Sequence, residues 1–283
     1  MQLLDLFETA EKDLERLHYA RSQIDKFARW LHDANEKTPL NKIGMMELRL
    51  HTPNGITDVW VKKASDIGMA YQDLYIGIGY KKASKTTAFV TTGRMDNKPI
   101  TFLIMLVKED PSEKIDIYFS LNYSEMVHEF IHVMDYRRGY DKHRNNLIRQ
   151  GILPKKDINS YYNSPIEFNA YYQQGIYEIM NKLTIKAISN KEINSNSFNN
   201  ISYQSFKRLY DMWFNSSWMT TLTPENKKKF DRRFYKFYEL VKNKWPDMNY
   251  IQDVIMEYEN RYDDKPAIIY PDGSQHWYID YSK

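Results

Sequence analysis

His128-Glu129-Phe130-Ile131-His132 reads HEFIH, two imidazoles four residues apart with a carboxylate beside the first. On a helix, residues four apart stand one turn above each other on the same face. Two imidazoles held that way can share one zinc ion, and the glutamate can draw a proton from a water at that ion. The flanks favour a helix: Val127, Phe130, Ile131 and Met134 fall at i, i+3, i+4 and i+7 and form an apolar stripe. Glu125, His128, His132 and Asp135 form a second stripe beside it. Arg137 and Arg138 suit the last turn of a helix and Gly139 its stop. The plain alternative is a pair of solvated histidines on the polar side of an amphipathic helix.

The rest of the chain must supply a scaffold and further ligands. With 283 residues, 42% of them hydrophobic and 27% charged, it is long enough for a substantial core. A net charge of +3 gives no electrostatic case for nucleic acid or an anionic membrane as partner. Cysteine is absent, which excludes disulfides and thiolate zinc sites and leaves any metal to His and carboxylate. The N-terminus turns highly charged too soon for a signal peptide, and the apolar run 100–107 is too short to span a bilayer. A cytoplasmic protein without membrane contact is the expectation.

Residues 2–35 read as one helix, with Leu3, Phe7, Ala10, Leu14, Leu17, Ile24, Ala28 and Leu31 at three-four spacing, broken at Arg21. Such a stripe ordinarily packs on its own core and less often mediates oligomer contact. The period changes over 45–122. Strands at Met46–His51 and Thr57–Lys63 flank the turn signal Pro53-Asn54-Gly55. Asp73–Tyr80 and Thr86–Arg94 suggest a second hairpin about a Lys/Ser turn, and Ile100–Val107 a strand buried on both faces. Ile115, Ile117, Phe119 and Leu121 alternate with polar residues, which predicts a half-exposed strand leading into the HEFIH helix. Helices are predicted at about 164–188, 203–216 and 223–244. The fold class is α+β, organised as an N-terminal helix (1–40), a sheet with the metal-binding helix (41–150) and a helical subdomain (151–283).

A sheet leading into an HExxH helix, followed by a helical half, resembles the zincin metallopeptidases. The resemblance implies a zinc endopeptidase whose helical half completes a cleft and whose edge strand aligns a protein or peptide substrate. Asp135 and Arg138 stand where a metzincin requires Gly and a third His, so that subclass is rejected. The segment Tyr161-Tyr162-Asn163-Ser164-Pro165-Ile166-Glu167-Phe168-Asn169-Ala170-Tyr171 is similar to the third-ligand segment of gluzincins, including lethal-factor-like toxin peptidases. That similarity implies Glu167 as third zinc ligand and Tyr161 or Tyr162 as the group that helps stabilise the oxyanion. The tyrosine spacing departs from the family pattern.

Other readings stay open. Ser164-Pro165-Ile166-Glu167 is also a capping box, in which Glu167 bonds back to the backbone. Asp135 competes as a ligand or orients a histidine ring, and Glu125 can do the latter. His18, His32, His51, His143 and His276 read as structural or solvated. The basic run Lys227-Lys228-Lys229 with Arg232, Arg233 and Lys236 reads as the solvent face of a helix whose Phe230, Phe234, Phe237, Val241 and Trp245 face the core. The rival function is an inactive or non-peptidase zincin-like protein that serves in binding or assembly, including a phage or toxin factor.

Overall fold

The three-four spacing after Ala10 folds as helix α1, Ala10–Asn35. Ala10, Leu14, Leu17, Ile24, Ala28 and Leu31 are buried within the chain, and at the predicted break Ala20 turns inward beside Arg21. The computed structural model describes residues 10–35, 45–52, 55–80, 88–107, 122–137, 161–189, 201–213, 218–244, 268–269 and 275–276. Leu3, Phe7, the turns expected at 53–54 and 81–87, the alternating segment 115–121, Arg138, Gly139, His143 and Trp245 lie outside them. The chain forms two compact units, one from the described parts of 1–19 and 134–259, the other from those of 20–133 and 260–283.

The second unit carries a mixed five-stranded sheet in the order β1-β2-β3-β5-β4. Its strands are β1 (Met46–Thr52), β2 (Gly55–Lys63), β3 (Leu74–Tyr80), β4 (Ala88–Met95) and β5 (Lys98–Val107). The first predicted hairpin forms, with Thr52 opposite Gly55. The second does not: β3 runs parallel to β5, and β4 is antiparallel to β5 on its far side. The apolar run of β5 explains this, because a strand with no polar face belongs in the middle of a sheet. The tight hairpin joins β4 to β5 instead. Asp96 (φ 49°) and Asn97 (φ 61°) both occupy the left-handed region, as a two-residue type I′ turn requires.

Val59, Val61, Phe89, Ile100, Phe102, Ile104 and Leu106 form one face of the sheet's core. Gly77 lets β3 lie against β2, since a Cβ there would strike the Trp60 carbonyl oxygen. The polar side chains of α1 in this unit act as anchors. Lys26 Nζ donates to the Gly68 carbonyl at 2.8 Å, and Gln23 Oε1 accepts the Ala70 N–H at 2.9 Å. These bonds fix the 3₁₀ turn Ala64–Ile67 and the approach to β3.

The first unit is helical, built from α3 (Pro165–Ser189), α4 (Tyr203–Trp213), the single turn α5 (Trp218–Thr221) and α6 (Pro224–Lys244). The α6 stripe of Phe230, Phe234, Phe237 and Val241 is fully buried. Phe206, Tyr210, Trp218 and Tyr172 stack or meet edge-on with it at ring separations of 4.7–5.9 Å. Gly175 on α3 leaves room for the Tyr210 ring, which an added Cβ would strike. The remaining helix, α2 (Tyr123–Arg137), carries HEFIH, and a short pair, β6 (Ile268–Ile269) and β7 (Gln275–His276), completes the elements. Among the described residues no helix is long and apolar enough to cross a membrane.

The aromatic core makes the helical unit sensitive to alkali. Burial, aided by Asp231 and Asp211, raises the Tyr203 hydroxyl to about 12. Burial pushes Tyr210 well above its ordinary value. Both folded-state values lie above the unfolded one, so the native state holds these protons more tightly. Their contribution is complete below about pH 10 and is lost as pH rises toward the folded-state values. Urea unfolding midpoints should therefore fall more steeply above about pH 10 in the parent chain than in Tyr203→Phe/Tyr210→Phe. Equal slopes would exclude these two groups as the cause.

Candidate metal centre

Helix α2 starts where the Asn122 carbonyl accepts the Met126 N–H at 3.1 Å. Its first residue, Tyr123, is held by its hydroxyl donating to Asp25 Oδ1 of α1 at 2.7 Å. Met126, Val127, Phe130, Ile131 and Val133 are fully buried, and Phe130 meets the Tyr71 ring at 5.8 Å. The helix is thus gripped on its apolar side. The second stripe is not solvated either: His128 and His132 are only 6% and 5% exposed. Two solvated histidines on an amphipathic surface are therefore not what the fold presents.

The two rings lie edge to face, with centroids 4.8 Å apart and an interplanar angle of 81°. Their Nε2 atoms approach to 3.1 Å. Ligand atoms of His128, Glu129 and His132 all fall within 4.8 Å of one another, with Glu129 half-buried. Two nitrogens bound to one tetrahedral zinc at ~2.0–2.1 Å would stand ~3.3 Å apart. The observed convergence fits that geometry, and imidazole with carboxylate is a donor set suited to zinc. A direct hydrogen bond between two neutral rings would use the same spacing.

Asp135, expected to orient a histidine ring or compete as a ligand, is engaged elsewhere. Its Oδ1 accepts from Arg16 Nη2 at 2.6 Å and its Oδ2 from Asn169 Nδ2 at 3.0 Å. Those bonds belong to a longer buried chain. Asn169 Oδ1 accepts from Arg233 Nη2 at 2.9 Å, and Arg233 forks onto both oxygens of Asp13 at 2.6 and 3.0 Å. Gln173 Nε2 donates to Asp13 Oδ1 at 3.1 Å. Arg233 also stacks over the Tyr172 ring at 4.1 Å. Arg233, expected on the solvent face with Lys227, Lys228, Lys229, Arg232 and Lys236, is buried; Lys229 is half-buried over the Phe168 ring at 5.3 Å, and the other four are surface positions. Glu125 is half-buried and accepts from Ser124 Oγ at 3.0 Å.

Glu167 lies in the first turn of α3 and is 9% exposed. Ser164 caps that turn, its Oγ accepting the Glu167 N–H at 3.4 Å. The reciprocal half of a capping box would use the Ser164 N–H, but that group donates to the Tyr161 carbonyl at 3.1 Å. Asn163 secures the entry: its Nδ2 donates to the Thr221 carbonyl at 2.9 Å and its Oδ1 accepts the Thr223 N–H at 2.8 Å. Tyr161 is 40% exposed, while Tyr162 is half-buried between the Tyr161 and Tyr171 rings. No family model, curated protein or solved structure matches this chain. Local chemistry must therefore carry the functional argument. Of the other histidines, His18 is exposed, His32 lies in α1, and His51 and His276 fall in β1 and β7.

Proposed function

We propose that the protein is a zinc-dependent metallopeptidase of gluzincin type, with a zincin-like arrangement of its sheet and helices. One observation carries the reading: two buried imidazole nitrogens converge to 3.1 Å beside a carboxylate, on one helix. His128 and His132 are two ligands. Glu167, which is buried, is the third by the similarity of its segment to the third-ligand segment of gluzincins. When bound, the ion supplies Lewis acidity toward a water and toward the substrate carbonyl.

The chain's own groups do the rest. Glu129 takes a proton from the attacking water and returns it to the departing amine. A tyrosine hydroxyl, from Tyr161 or Tyr162, would donate to the developing oxyanion. Of the two candidates, Tyr161 has the more accessible side chain, and the Tyr162 ring meets it edge-on at 5.3 Å. The preference for peptide bonds rests on the similarity of HEFIH and the Tyr161–Tyr171 segment to gluzincin peptidases.

The deciding experiment is metal analysis of the purified chain after zinc exposure and dialysis. One zinc per chain is expected, and His128→Ala should lose essentially all of it. Glu167→Ala should bind zinc at least tenfold more weakly. A parent chain that retains no zinc would reduce the His128–His132 pair to a hydrogen bond within the core.

A further inference from the structure

The buried chain of polar groups ending on Asp135 has a task beyond holding helices together. We propose that Asn169 and Arg16 are positioning residues for the metal helix, acting through Asp135; this rests on the metallopeptidase reading above. Asp135 follows His132 by three residues and His128 by seven, so all three project from nearly one face of α2. A rotation of α2 about its axis that moved Asp135 would swing both imidazoles with it. Two other helices prevent that rotation. Arg16 holds one carboxylate oxygen from α1, and Asn169 holds the other from α3.

Asn169 is itself locked. Its amide donates to Asp135 while its carbonyl oxygen accepts from Arg233, so neither end can flip without losing a bond. Arg233 is anchored in turn by both oxygens of Asp13. Each member of this chain is 9% exposed or less. Two aspartates and two arginines balance in charge, yet apolar side chains of the same volume would ordinarily hold helices as well or better. What apolar packing does not supply is a single hydrogen-bonded registry, which is the best-attested use of buried ion pairs. The Asp135–Asn169 bond therefore fixes the rotation of α2, which carries both imidazoles, within the small tolerance a metal site demands.

Cobalt(II) titration of the full chain tests this, because its visible absorption reports both affinity and ligand geometry. Asn169→Asp removes the donor and sets two carboxylates against each other; cobalt affinity should drop about 10–100-fold and the absorption bands should change. The double variant Asp135→Asn/Asn169→Asp reverses the direction of the bond while leaving Arg16 and Arg233 their oxygen acceptors. It should recover the parent affinity and spectrum. Gln173→Met, which touches Asp13 alone in this chain of contacts, should lower the melting temperature without altering cobalt binding. If Asn169→Asp does not fold, Asn169→Ser carries the same expected loss.

Parent-like cobalt binding in Asn169→Asp, or a double variant no better than the single one, would overturn the positioning role and leave the metal site standing. Weakening by Gln173→Met equal to that of Asn169→Asp would also overturn it, since general loosening would then be enough. A parent chain that takes up no cobalt would remove the metal reading and this proposal together, and that result is visible before any variant is made.

Discussion

Glu129→Gln is expected to keep one zinc per chain while peptide hydrolysis falls by about 10²–10⁴-fold. The substitution conserves size and hydrogen-bonding shape but removes the only function assigned to Glu129, acceptance of a proton near neutral pH. Glu129 is half-buried beside the two buried imidazoles. Zinc content, the melting curve and turnover of a labelled casein substrate should be read on the same preparation. The diagnostic pattern is intact metal, intact fold and lost turnover. Turnover equal to that of the parent chain would sink the assignment of Glu129 as the base. Loss of zinc along with activity would instead make Glu129 a ligand.

Arg233→Met should produce a large loss of stability in the helical unit. It strands Asp13, 1% exposed, without the fork that neutralises it, and leaves Asn169 short of a donor. Removing one partner of a buried pair typically costs about 3–5 kcal/mol. The double variant Asp13→Leu/Arg233→Met should recover most of that, because the uncompensated charge disappears and an apolar pair fills a similar volume. Urea denaturation with a constant slope would measure both. A single variant within about 1 kcal/mol of the parent would show that Asp13 gains other partners or water, and that the fork contributes little.

Much of this scaffold can be read from residue spacing. The stripe from Ala10 to Leu31, the Thr52–Gly55 hairpin and the α3, α4 and α6 helices all follow from apolar periodicity and turn chemistry. HEFIH announces two imidazoles on one face, and the apolar stripe beside it marks the side that is gripped. Pairing of the central strands was not legible, because a seven-residue gap between Tyr80 and Ala88 looks like a hairpin loop until β5 competes for both neighbours. The Asp96-Asn97 turn offered a signal, two residues tolerant of left-handed φ between extended segments. The buried polar chain was missed for a different reason. Charged residues next to an apolar stripe look solvated unless their partners are known, and Asp13 finds Arg233 far away in the sequence. Even so, Asp13, Arg16, Ala20, Gln23 and Phe27 keep a helical period of their own, and all are buried.

The Asp13–Arg233 fork joins residues 220 positions apart. During synthesis the aspartate is made 220 residues before its partner. At about 5–20 residues per second that delay is roughly 10–40 s. Through that interval a helix with an apolar stripe and an unmatched carboxylate must stay out of non-native cores. The helical unit can close only after α6 leaves the ribosome, so its first helix must stay available until its last has been made.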